Sequence, residues 1–101
     1  MRIKKPTPMK AKHTRKLGFD EGLSGTPMLR CAVNYMAEFP ETKKLVMVSE
    51  VYCEVAKVFG TTVTAAERNI RFATRKAGYG GVTSGILRDF AQRVRDGEFR
   101  D

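Results

Sequence analysis

The chain has 101 residues, with 19 Lys or Arg against 11 Asp or Glu, so its formal net charge is +8 at pH 7 and its length supports one domain with a modest core. Cys31 and Cys53 belong to no CxxC pattern and are expected to be buried thiols. His13 is the only histidine, so neither a metal site nor a cofactor is expected. No apolar run reaches the length of a signal peptide or a membrane span, which predicts a cytoplasmic protein.

Positive charge is concentrated at the N-terminus. Residues 1–16 carry seven basic residues and no acidic one, together with Pro6 and Pro8. Such a segment buries little apolar surface, so we predict a flexible, disordered basic arm over residues 1–16. The folded domain is then expected to cover residues 17–101.

Two helices are predicted in the first half of this domain. The first begins with Thr26 as its N-terminal cap and ends before Pro40, with apolar residues at helical spacing between them. The second begins at about Leu45 or Val48 and ends at Phe59. Its first residues alone would equally suit a strand, but the longer spacing of three and four residues favours a helix.

Two further helices are predicted in the second half. The third spans residues 62–77, because small and apolar residues form one narrow seam along it and Gly78 is a natural stop. The last is capped by Thr83 or Ser84 and continues to about Val94. The fold class predicted is all-α, a small domain of four to five helices.

Residues 55–71 predict a helix-turn-helix within this fold. Ala56 precedes Gly60 by four residues; a small residue at that position lets two helices cross closely, and the glycine permits the sharp turn. The second helix of such a motif enters the major groove of DNA. Residues 61–77 carry a net charge of +3, which suits a surface that meets phosphates.

The residues near the start of the groove-entering helix, and those one turn later, reach the edges of bases. Arg71 can donate two hydrogen bonds to guanine, Glu67 can accept one from cytosine, and Thr64 lies on the same outward face. The other candidates are expected to contact the DNA backbone: Thr62, Arg68, Arg75 and Lys76 of the helix, and Lys12, Arg15 and Lys16 of the basic arm.

Several of these residues have alternative roles. Glu67 lies three residues after Thr64 and could close a capping box instead of contacting a base. Thr61 and Thr62 could be turn and cap residues only, and Arg68 and Arg71 could belong to a solvated basic face. Phe72 either packs beneath the last helix or is an exposed apolar contact.

A pattern of Tyr, Val-Ala, Phe, Thr-Thr and Glu-Arg-x-Ile-Arg-x-Ala runs from Tyr52 to Ala73. Through this pattern the chain resembles the effector domain of the sporulation initiation transcription factor, stage zero sporulation protein A, of endospore-forming bacteria. The resemblance extends more weakly over roughly residues 17–77. The resemblance implies an all-helical domain that binds TGTCGAA-like promoter boxes and activates or represses transcription. It also implies base contacts from Glu67 and Arg71 and a backbone contact from Arg68.

The chain departs from this family in three ways. The family joins the domain to a phosphoacceptor receiver domain, whereas here only the basic arm precedes it. Cys53 stands where the family usually has Pro. Residues 78–85 are too few for a helix that the family places before its last one, which weakens the case for the head-to-tail dimer contacts of the family.

A stand-alone, sequence-specific DNA-binding transcription regulator is therefore the leading expectation. Its expected partner is double-stranded DNA, with RNA polymerase and a weak homodimer on DNA as further candidate partners. An alternative is a receiver-less interaction module that modulates a full-length regulator or the transcription machinery. An RNA-binding protein is a third reading, although no aromatic platform for stacking is arranged. An enzyme is not expected, since no acid–base pair, activated nucleophile or metal cluster can be assembled.

Overall fold

The computed structural model describes residues 7–39 and 48–100. Within these residues the fold is all-helical and has no strand, which confirms the predicted fold class. The helices are α1 (Ala11–Lys16), α2 (Gly25–Ala37), α3 (Val48–Phe59), α4 (Val63–Lys76) and α5 (Thr83–Arg95).

Helix α2 is the centre of the fold, because each of the other four helices packs against it. Its apolar stripe buries Leu29 and Val33, as the spacing in the sequence predicts. Helices α3, α4 and α5 bury their own stripes against it. The largest fully buried apolar side chains of the described residues are Phe90, Leu29, Ile70, Leu87, Val33, Val51, Val55 and Val94.

The basic arm differs from its prediction over residues 7–16. Instead of being extended or disordered, this segment contains α1 and buries Met9, His13 and Thr14. The Met9 backbone N–H donates to Asn34 Oδ1 at 2.8 Å, and Asn34 Nδ2 donates to the Met9 carbonyl at 3.0 Å. The prediction was wrong here because the charges occupy only one side of α1, while the other side docks on α2. The first six residues lie outside the described residues.

An ionic cluster ties α1 and the loop after it to α2. Arg30 Nη1 donates to Glu21 Oε1 at 2.7 Å and to Thr14 Oγ1 at 2.9 Å, and the Thr14 hydroxyl donates to Glu21 Oε2 at 2.5 Å. Burial raises the pKa of Glu21, but the hydrogen bonds from Thr14 and Arg30 outweigh it, so the pKa is lowered from its ordinary 4.5. The cluster therefore favours an ionised Glu21.

Two of the predicted helix starts need correction. Thr26 lies inside α2, and its hydroxyl donates to the Asp20 carbonyl at 2.6 Å, so it anchors the preceding loop instead of capping the helix. In α5 the cap position belongs to Val82, and Thr83 is the first helical residue. The predicted end at Pro40 and the alternative start at Leu45 lie outside the described residues.

The two cysteines differ in burial. Cys31 is half-buried, and burial raises the pKa of its thiol, whereas Cys53 is exposed. The expectation that both thiols are buried was therefore wrong for Cys53, which lies on the outer side of α3. None of the described helices is long and apolar enough to cross a membrane.

Helices α2 and α4 cross at very short range where α2 begins. A Cβ atom added to Gly25 would lie 1.9 Å from the carbonyl oxygen of Asn69 and 3.0 Å from the Cβ of Ala73. Only glycine allows the two backbones to approach this closely. This crossing sets the position of α4 on the scaffold.

Candidate nucleic-acid interface

Helices α3 and α4 form the predicted helix-turn-helix. Gly60, just after α3, has a φ of +64°, and the Thr61 N–H donates to the Ala56 carbonyl at 2.9 Å. This is the hydrogen bond that closes a helix C-terminus through a left-handed glycine. Ala56 is buried in α3, four residues before this glycine. The sharp turn predicted at Gly60 is confirmed.

Helix α4 begins with a cap at Thr62, whose side-chain oxygen accepts a hydrogen bond from the Ala65 N–H at 3.0 Å. The helix ends at Lys76, and Gly78 follows with a φ of +93°. The span agrees with the predicted residues 62–77. In this cap bond the Thr62 hydroxyl is the acceptor, so its own proton stays available for donation.

The position of this cap excludes the capping-box role of Glu67. In a capping box the acidic residue is the third residue after the cap, and here that position is Ala65. Thr64 is already inside the helix. The alternative role of Glu67 was therefore wrong, because the helix begins two residues earlier than a Thr64 cap requires.

The outward face of α4 carries most of the predicted contacts. Ala66, Ile70 and Ala73 form a fully buried seam, so the helix lies on the scaffold by a narrow stripe. The side chains away from this seam are exposed or half-exposed: Thr64, Glu67, Arg68, Arg71, Phe72, Arg75 and Lys76. A narrow buried stripe leaves enough of the circumference free for a groove.

The two main candidates for base contact are paired with each other. Arg71 Nη1 donates to Glu67 Oε2 across one helical turn, and the side chains are 43% and 35% exposed, respectively. One such bond leaves further N–H donors on the guanidinium and free lone pairs on the carboxylate. The pair can therefore stay together while each member contacts a neighbouring base.

Tyr52 of α3 lies close to this pair, a position in the site that was not predicted from the sequence. Burial raises the pKa of Tyr52; the Glu67 carboxylate raises it further, and the Arg71 guanidinium lowers it. Helical periodicity marks Tyr52 as a core position, which it is. Its proximity to the pair depends on how α3 crosses α4, which no local pattern reveals.

The fold brings the cationic C-terminal ends of α1 and α4 together. A Cβ atom on Gly18, just after α1, would lie 3.8 Å from the Ala77 carbonyl oxygen, just after α4. The Tyr79 hydroxyl donates to the Leu17 carbonyl at 2.9 Å and ties the two ends. The cations nearest these ends are exposed: Arg15 and Lys16 on α1, with Lys12 one turn earlier, and Arg75 and Lys76 on α4.

The structure also decides between the two alternatives for Phe72. Its side chain is 56% exposed, so it is not packed beneath α5. Residues 77–82 contain no helix, in agreement with the shortness of this segment in the sequence. Helix α4 is therefore followed by a short loop that leaves its outer face uncovered.

The comparisons with known proteins agree with this geometry. The family model described as "Sporulation initiation factor Spo0A C terminal" matches residues 11–98. No curated protein and no solved structure matches the chain. The matched family consists of helical, DNA-binding domains of sporulation transcription regulators, and it is not a family of enzymes. Because the match covers nearly the whole chain, this protein belongs to the family of the C-terminal domain of the sporulation initiation factor Spo0A.

Proposed function

We propose that this chain is a sequence-specific transcription regulator that reads the major groove of double-stranded DNA with α4. The observation that carries the proposal is the outward face of α4, where Arg68, Arg71 and Arg75 are exposed or half-exposed opposite a fully buried seam. A helix held by so narrow a stripe can enter a groove without losing its support. Its location would be the cytoplasm, where the DNA of a spore-forming bacterium lies.

Base reading is assigned to Glu67, Arg71 and Thr64. The Arg71 guanidinium forms a fork that matches O6 and N7 of guanine, and the Glu67 carboxylate accepts from the N4 amino group of cytosine. Their mutual ion pair holds both groups on one face of α4 before DNA arrives. Each correct contact of this kind contributes roughly 1–3 kcal/mol of discrimination against a wrong base.

The remaining cations and one hydroxyl are assigned to the phosphate backbone. They are the cap residue Thr62, Arg68, Arg75 and Lys76 on α4, and Lys12, Arg15 and Lys16 on α1. The contact between the C-terminal ends of α1 and α4 supports a common phosphate surface beside the groove-reading face. If about five phosphates are engaged, the logarithm of the affinity falls with the logarithm of the salt concentration with a slope of roughly −4 to −5.

The test is a selection of binding sites from random duplex DNA, followed by titrations of the selected duplex and a scrambled duplex. We expect Arg71→Ala to weaken binding to the selected duplex roughly 5- to 150-fold and to weaken binding to the scrambled duplex by a much smaller factor, that of one lost charge. Arg100→Ala is the matched control, because it removes the same charge from an exposed position after α5. Equal losses on both duplexes with Arg71→Ala would contradict base reading.

A protein partner is the second candidate, in addition to DNA. The end of α3 and the start of α4 expose three apolar side chains, Val58, Phe59 and Val63. We propose RNA polymerase as the partner, because a DNA-bound regulator acts on the transcription machinery. The mass of the chain in solution tests a weak homodimer. Binding of purified polymerase to wild-type and Val58→Asp chains tests the polymerase surface. Unchanged polymerase binding with Val58→Asp would refute this surface.

A further inference from the structure

Phe72 is an exposed aromatic side chain on the cationic outer face of α4. It is 56% exposed, near the middle of α4. Arg68 lies one turn before it, and Arg75 and Lys76 lie one turn after it, so all three cations are its neighbours on the helix surface. Aromatic side chains are enriched at interfaces, so an exposed ring among cations is a side chain that a partner surface can cover.

The charge around Phe72 identifies the partner that covers it. The three neighbouring cations repel a basic protein surface and attract phosphates, so an anionic polymer is the complementary partner. Helical geometry places Phe72 about 40° around the axis from Arg68 and about 100° from Arg71, on the same outward half of α4. A duplex seated on Arg68 and Arg71 therefore covers Phe72 as well.

We infer that Phe72 contacts the C5-methyl group of a thymine in the major groove and so determines specificity at one base pair. This inference rests on the proposed function. Among the groups that the base pairs display in the major groove, the thymine methyl is the one that an apolar side chain recognises. Uracil lacks this methyl, so the same contact favours DNA over RNA of equivalent sequence.

The test replaces each thymine of the selected duplex, one at a time, by deoxyuridine. With the wild-type chain, one replacement weakens binding about fourfold, the factor that corresponds to burial of one methyl-sized group. With Phe72→Ala the same replacement has no effect, because the methyl group has lost its contact. Val82→Ala is the matched control, since Val82 is 72% exposed before α5, and its response to deoxyuridine equals that of the wild type.

The other outcomes overturn the inference in distinguishable ways. If Arg71→Ala abolishes the preference for the selected duplex but no deoxyuridine replacement separates the wild type from Phe72→Ala, the proposed function stands and the thymine contact is wrong. If Phe72→Ala instead converts a dimer to a monomer without DNA, the ring is a protein contact. If the wild type selects no duplex, both the proposed function and the thymine contact fall.

Discussion

Replacing Gly25 by alanine tests how α4 is held on its scaffold. The added Cβ would lie 1.9 Å from the Asn69 carbonyl oxygen, about 1.1 Å inside the 3.0 Å that real Cβ contacts keep. The atom in conflict belongs to the backbone of α4, so no rotamer change relieves it and the two helices must separate. Overpacking of this kind costs about 2–3 kcal/mol in the free energy of unfolding.

The assay is thermal unfolding followed by circular dichroism, with duplex titration alongside. For a domain of this size about 2–3 kcal/mol lowers Tm by roughly 10–20 °C. The matched control is Gly85→Ala in the first turn of α5, where an added Cβ meets no atom within 4 Å. That control gains helix propensity and is expected to raise Tm by a few degrees. A Gly25→Ala chain that unfolds at the wild-type temperature would refute the close crossing.

Three further predictions concern the cap, the ionic cluster and the ion pair. Thr62→Ala removes the acceptor for the Ala65 N–H and is expected to lower the free energy of unfolding in urea by about 1 kcal/mol. Thr62→Ser retains the hydroxyl and should retain most of this stability. Equal losses with the two variants would contradict a hydroxyl cap. The lowered pKa of Glu21 means that its contribution to stability is complete above pH 4.5 and is lost as the pH falls through its folded pKa. In urea unfolding, the free energy of unfolding of Glu21→Gln should therefore be lower than that of the wild type at pH 7, and this difference should narrow at acidic pH. A difference that does not change with pH would refute this. Glu67→Gln removes the carboxylate that neutralises Arg71, so binding to scrambled duplex should strengthen and its salt slope should steepen by about 0.9; an unchanged slope would show that the pair does not restrain Arg71.

Much of helix α4 can be predicted from local pattern. The seam of Ala66, Ile70 and Ala73 and the stop at Gly78 predict the bounds of α4 to within one residue, because helix periodicity and left-handed glycines act over a few residues. The same local rules left open whether Thr62 or Thr64 caps the helix, and the structure shows that Thr62 does. Both residues suit a cap, and only the position of the turn decides between them.

The N-terminal segment shows where pattern fails. Its charges predict an extended arm. Met9, however, is hydrogen-bonded to Asn34, which lies 25 positions later in the chain. The Leu17 carbonyl accepts a hydrogen bond from the Tyr79 hydroxyl, 62 positions later. No window of local sequence contains both partners of either contact. Composition could therefore not reveal that α1 docks and brings its cations beside those of α4.

The sequence by itself determined the helical class and the helix-turn-helix, and it supplied the candidate residues for DNA contact, because each depends on spacing within one or two helical turns. The tertiary structure decided which of these residues share a surface. The Gly25 crossing fixes α4, the packing of the helices leaves Phe72 exposed, and the contact of Leu17 with Tyr79 joins two cationic helix ends. These features depend on contacts between segments far apart in the chain, so no local pattern sets them.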